Sequence, residues 1–155
     1  MPTPNQLILS FCAALLCIPN AHAADKKLSR GELPPPVQAA ADEQAKGATV
    51  RGYSTEMENG QKEYEVQLVV NGHSKDVTFS PDGRVMEIEE AVSMDALSPG
   101  VRSGLMARAA TGKITRIESL TKGGKIVAYE AQVVTAGKHS EIQVGPDGKK
   151  LPQEE

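Results

Sequence analysis

Two histidines, His73 and His139, and the carboxylates Glu56, Glu58, Glu63, Glu65, Glu87, Glu89 and Glu90 are the residues of this chain best suited to proton transfer or metal binding. A general base must lie within hydrogen-bond reach of the group it deprotonates, and a nucleophile needs such a base beside it. His73 follows Asn71-Gly72 and His139 follows Ala136-Gly137-Lys138, so both sit beside turn signals and are expected to face solvent. A calcium loop would place oxygens at Asp-x-Asp-x-Asp-Gly spacing, which the sequence lacks; no phosphate-binding loop or Gly-x-Gly-x-x-Gly follows a strand pattern. No catalytic, cofactor-binding or metal residues are therefore expected. The glutamates leave two readings open, a solvated sheet face or a docking surface for a basic partner.

Residues 1–23 read as a secretion signal. Leu7–Ile18 is a 12-residue, mostly apolar stretch, too short to span a bilayer, and Ala21-His22-Ala23 offers a small-x-small cleavage pattern. Cleavage near Ala23 removes 23 of 155 residues and leaves 132, in the periplasm or outside the cell, with no membrane span expected. Both cysteines, Cys12 and Cys17, lie in this leader. The exported chain then has no disulfide, thiolate nucleophile or Cys-based metal site.

With 39% hydrophobic, 24% charged and 3% aromatic residues, the composition suits small globular domains and excludes a disordered or collagen-like chain. Sliding the chain by 65 positions lays Tyr64-Glu65-Val66-Gln67 on Tyr129-Glu130-Ala131-Gln132, and Pro81-Asp82-Gly83 on Pro146-Asp147-Gly148. Upstream the offset is 64, matching Leu33, Pro35 and Val37 to Leu97, Pro99 and Val101.

Each copy opens with a helix: Val101, Leu105 and Ala109 make an apolar stripe behind Ser98 and Pro99, and Val37, Ala41 and Ala45 repeat it. Strands follow. Tyr64, Val66, Leu68 and Val70 share one face of a period-two pattern, as do Tyr129, Ala131 and Val133, and Gly-containing turns between such runs predict antiparallel hairpins. Val50 and Tyr53, like Ile114 and Ile117, are apolar three residues apart, which predicts a bulge near Gly52 and Arg116. The expected fold is α+β: two tandem helix-plus-antiparallel-sheet repeats of αββββ type, the second truncated after Gly148. The boundaries are a signal peptide at 1–23, a linker at 24–32, repeats at 33–96 and 97–151, and an acidic tail at 152–155.

The Leu-Pro entry to each helix, Tyr-Glu-Val in a central strand and Pro-Asp-Gly at the last hairpin resemble the PepSY-like family. That family is related to the tandem-repeat β-lactamase inhibitory proteins and to propeptide domains of thermolysin-type peptidases. The resemblance covers Leu33–Leu151. It implies an exported, non-catalytic module that binds or restrains another protein, often a hydrolase, and places Leu33, Leu97, Tyr64, Tyr129, Asp82, Gly83, Asp147 and Gly148 at fold-determining signature positions. The inhibitory proteins use disulfides and aromatic-rich surfaces, which the exported chain lacks.

Leu33–Ala96 carries 12 acidic and 5 basic residues, net −7, whereas Leu97–Pro152 carries 4 acidic and 9 basic, net +5. Opposite charges could hold the halves together, steer a partner or drive self-association into an envelope structure. Nucleic acid is not an expected partner, because the basic half lacks a basic stripe interleaved with aromatics and an exported chain is in the wrong compartment. The residues expected to meet a protein partner are Tyr53, Glu65, Gln67, Glu130 and Gln132, four of which point away from the predicted core and recur in both copies.

Overall fold

The computed structural model describes residues 26–58, 60–153 and 155. The expected secretion signal at 1–23, with both cysteines, lies outside the described residues. The elements in chain order are β1 (Lys26–Leu28), α1 (Pro35–Gln44), β2 (Thr49–Glu58), β3 (Gln61–Val70), β4 (His73–Phe79), β5 (Val85–Ala91), α2 (Pro99–Ala109), β6 (Lys113–Lys122), β7 (Lys125–Thr135) and β8 (Lys138–Val144).

Proline at the first turn of each helix fixes φ where no N–H partner is needed. Ser98 caps α2, its Oγ accepting from the Val101 N–H at 3.3 Å. Each helix lays a narrow apolar stripe on the sheet, Val37 and Ala41 from α1 and Val101, Leu105 and Ala109 from α2.

All eight strands form one antiparallel sheet in the order β1 to β8. This overturns the expectation of two tandem helix-plus-sheet repeats. The decisive contact is the seam, where β5 pairs with β6 through Ile88–Thr121, Glu89–Leu120, Glu90–Ser119 and Ala91–Glu118. An unpaired edge leaves N–H and C=O groups without partners, and joining the two inner edges satisfies both. Side-chain periodicity specifies faces but not which edges meet, so the sequence pattern could not show the join. The expected linker also holds structure, since Lys26–Leu28 pairs with Tyr53–Thr55 as the edge strand β1.

The register shifts between Val50 and Gly52 and between Ile114 and Arg116, the two places where bulges were expected. Both helices lie on one face, over two apolar clusters. One gathers Leu33, Val37, Ala41, Tyr64, Val66, Leu68, Val77 and Phe79; the other Leu97, Val101, Leu105, Ile117, Ala131 and Val144. The Pro-Asp-Gly turns dock on the helix starts. A Cβ on Gly83 would stand 2.6 Å from the Pro36 carbonyl oxygen, and one on Gly148 would stand 2.1 Å from that of Gly100. Both glycines have positive φ, 83° and 79°, so the turn and the close approach demand the same residue.

Candidate functional site

With the helices covering one face, every second residue of the strands faces the other way, where no described element covers it. Pairing aligns these positions across the sheet: Glu56 with Glu63, Asp76 with Glu89, Glu89 with Leu120, Glu118 with Glu130, and Glu130 with Gln143. All of these but Asp76 line a groove of about 840 Å³ that runs from β2 to β8. Its described lining holds nine glutamates against two cations, Arg116 and Lys122.

Like charges directly across a sheet repel, so this arrangement is held by specific pairing. The Arg116 guanidinium donates to Glu118 Oε1 and to Ser74 Oγ at 2.9 Å, and lies 3.7 Å from Asp76 Oδ2. Lys122 Nζ lies 3.0 Å from Glu87 and 3.5 Å from Glu155. Gln143 donates to Glu130 Oε2 at 2.8 Å while its own Oε1 accepts from the Glu155 N–H at 2.8 Å, which draws the acidic tail onto the groove rim.

Carboxylate oxygens of Asp76, Glu89 and Glu118 lie within 4.8 Å of one another. Burial pushes the Glu118 carboxyl up, helped by Asp76 and Glu130 and opposed by Arg116. Burial likewise raises Asp76, against the pull of Arg116 and Arg51. Glu89 is pushed up to about 9, first by burial, then by Glu118 and by a hydrogen bond shared with Glu87. Glu63 rises through burial and its neighbours Glu58 and Glu87. Burial would lower Lys122, but Glu87 and Glu155 outweigh it and keep it charged. At neutral pH the cluster therefore holds Arg116 on one side and a proton on Glu89 on the other. Three carboxylates could offer oxygens to a metal ion, yet the positive charge among them is already supplied by Arg116.

Of the residues expected to face a partner, Glu130 and Gln132 line the groove, and Glu65 and Gln67 stand on the same sheet face. Glu65 Oε1 accepts from Ser54 Oγ at 3.3 Å. Tyr53 is placed on the helix face, half-buried against the first apolar cluster: the bulge before it puts it in line with Val66. Among the glutamates, Glu56, Glu58, Glu63, Glu87 and Glu89 converge on the groove, whereas Glu90 pairs with Lys75 at 3.6 Å on the other face. Leu33, Leu97 and Tyr64 are buried and Tyr129 is half-buried. Asp82 accepts from Ser80 Oγ, and Asp147 from the Lys149 N–H at 3.0 Å, tying their turns. His73 and His139 are exposed near strand starts. Sequence reasoning missed Asp76, Arg116, Glu118, Lys122 and Gln143; the available signal was Arg116-x-Glu118 directly after the bulge.

No family model and no curated protein sequence matches the chain. Solved structures do. A protein from Bacteroides eggerthii assigned to the periplasm matches with a TM-score of 0.63 at 20% identity, covering 79% of this chain and 88% of that one. A DUF2874 family protein from Bacteroides ovatus matches with a TM-score of 0.61 at 20% identity, over 77% and 84% of the two chains. A BLIP-like protein from Bacteroides fragilis matches with a TM-score of 0.57 at 20% identity, over 78% and 86%. At this identity the likeness shows the fold, which is BLIP-like. Nothing in these comparisons carries the PepSY resemblance or a tandem-repeat identity. Among the described residues no helix is long and apolar enough to cross a membrane.

Proposed function

We propose that this chain is an exported, non-catalytic module that docks a protein partner on the sheet face turned away from its helices. The observation that carries this reading is the groove itself, open across seven strands and kept polar by side chains that are paired with one another rather than aimed at a reacting atom. The signal-like residues 1–23, and the periplasmic assignment of the Bacteroides eggerthii structure, support a periplasmic site of action. Likeness to a BLIP-like protein supports restraint of an envelope hydrolase as the consequence of docking.

A photo-crosslinking residue placed at Gln132, on the groove, and separately at Gln44, on α1, tests the reading with the full exported chain in an envelope extract. Adducts specific to the groove position are expected. Equal adducts from both positions, or none from the groove, would count against it. Sedimentation of the purified chain without partner, across a salt series, separates docking from self-association: oligomers that dissolve as salt rises would instead favour charge-driven assembly of the −7 and +5 halves.

A further inference from the structure

We propose that the groove's occupant is a polypeptide segment bearing arginine or lysine, and that one of its cationic side chains settles against Glu87 and Glu89. This rests on the reading of the groove as a docking face and names the chemistry of what docks there.

The argument begins with charge. Nine glutamates line the groove against Arg116 and Lys122, and both cations are already engaged, Arg116 by Glu118 and Asp76, Lys122 by Glu87 and Glu155. Glu89 stands between these two pairs. It faces Glu87 on its own strand, Asp76 on β4, Arg116, Glu118 and Lys122 on β6, and Glu130 on β7, yet no described cation pairs with it. Burial first, and then Glu118 and Glu87, raise its affinity for a proton.

An incoming ammonium or guanidinium does a proton's work here better. It stabilises Glu87 and Glu89 together as carboxylates, the Glu89 proton leaves to solvent, and one positive charge replaces another. A bare divalent ion fits less well, because the fixed guanidinium of Arg116 already sits against two of the three clustered carboxylates. The groove's length favours a segment of chain, whose successive side chains can reach glutamates from β2 to β8. A long, carboxylate-lined face also steers basic partners from a distance and does so more weakly as salt rises.

The sign of the proton linkage follows. The free groove holds a proton that the complex releases, so affinity for a basic segment rises with pH until the free groove loses that proton unaided. Calorimetry on the whole exported chain tests this with two capped peptides, one alternating Arg with Gly and one alternating Glu with Gly. The Arg peptide is expected to bind, tightening by up to about tenfold per pH unit between roughly pH 6 and pH 9 and releasing a proton whose heat depends on the buffer. Glu89→Gln, which keeps the shape and folds with an unchanged circular dichroism spectrum, should flatten that pH dependence. Glu63→Gln with Glu141→Gln should weaken binding about threefold to tenfold at every pH, whereas Glu43→Gln on α1, exposed on the helix side, should not. Binding of the Glu peptide with equal affinity would overturn the proposal, as would a wild-type affinity indifferent to pH or a groove variant no weaker than Glu43→Gln. A groove-specific crosslinked partner combined with no affinity for the Arg peptide would sink this proposal while leaving the docking reading intact.

Discussion

Arg116 and Glu118 stand two residues apart on β6, so the strand turns both side chains to the groove, and there the guanidinium donates to the carboxylate. Glu118 is only 4% exposed. A carboxylate that deep is costly unless paired, and the regular alternation of β6 beyond the bulge between Ile114 and Arg116 sets its partner on the same face. Arg116 also reaches Asp76 and Ser74 on β4, across the β5–β6 seam. One side chain thus ties the first half of the sheet to the second.

Replacing Arg116 with Met leaves Glu118 buried without its cation. The expected cost is about 1–3 kcal/mol of unfolding free energy near neutral pH, kept below that of a fully buried pair because the guanidinium is partly exposed. Adding Glu118→Gln should recover most of the loss, since it removes the unpaired charge. Urea denaturation of the single and double variants measures both values; a single variant as stable as wild type would show the pair to be inert.

Glu89 makes stability itself depend on pH. Its folded-state carboxyl is raised to about 9 from an ordinary value of 4.5, so the native state binds a proton that the unfolded chain does not. The sign is opposite to that of a salt-bridged acid. Stability is full below the unfolded value and declines as pH climbs towards the folded one. Glu89→Gln cannot ionise, and relative to wild type it should gain about 1–3 kcal/mol between pH 5 and pH 9. Denaturation midpoints at the two pH values test this, and parallel behaviour of variant and wild type would contradict it.

Much of the local structure was legible because it is written in short-range chemistry. Ser98, Pro99 and the Val101-Leu105-Ala109 stripe specify α2, and the three-residue spacing of Val50 with Tyr53 betrays a bulge. What was not legible lies at long range. Nothing in the period-two pattern of Val85–Ala91 says that its free edge takes Glu118–Thr121 as neighbour. The groove suffered from the same gap: Asp76, Glu89 and Glu118 come from three strands, and only the joined sheet makes them adjacent. Tyr53 was offered both as a bulge marker and as a partner contact, and the bulge sets it on the helix face in line with Val66. Glu56, Glu58, Glu63, Glu87 and Glu89 were visible as an acidic set, since alternation alone puts them on one face.

The turn at Gly148 should be among the least tolerant surface positions. Its φ of 79° strains any residue with a side chain, and a Cβ would meet the Gly100 carbonyl oxygen at 2.1 Å, while a Cβ on Gly104 would meet the Gly148 oxygen at 1.9 Å. Backbone cannot swing aside as a side chain can, so α2 would have to lift from the turn. Gly148→Ala and Gly104→Ala should each cost about 3 kcal/mol or more. Gly124→Asn, at a φ of 75° with nothing within 4 Å of a new Cβ, should cost less than about 1 kcal/mol. Thermal midpoints of the three variants decide the matter, and similar losses at Gly148 and Gly124 would remove the packing argument.

A single continuous sheet also makes a claim about cooperativity. Leu68 and Leu105 are both fully buried, one in each apolar cluster, and truncating either to Ala opens a cavity worth about 2–5 kcal/mol. If the two clusters belonged to independent repeats, each substitution would destabilise its own half and split the unfolding curve. The β5–β6 ladder, Arg116 on Asp76 and Lys122 on Glu87 all cross between the halves, so losing one cluster strips pairing from the other. Both variants should therefore shift one common transition, seen identically by circular dichroism and by tyrosine fluorescence from Tyr64 and Tyr129. Two resolved transitions in the Leu105→Ala chain would mean that the seam contributes too little to couple the halves, and the groove that depends on it would open before the protein unfolds.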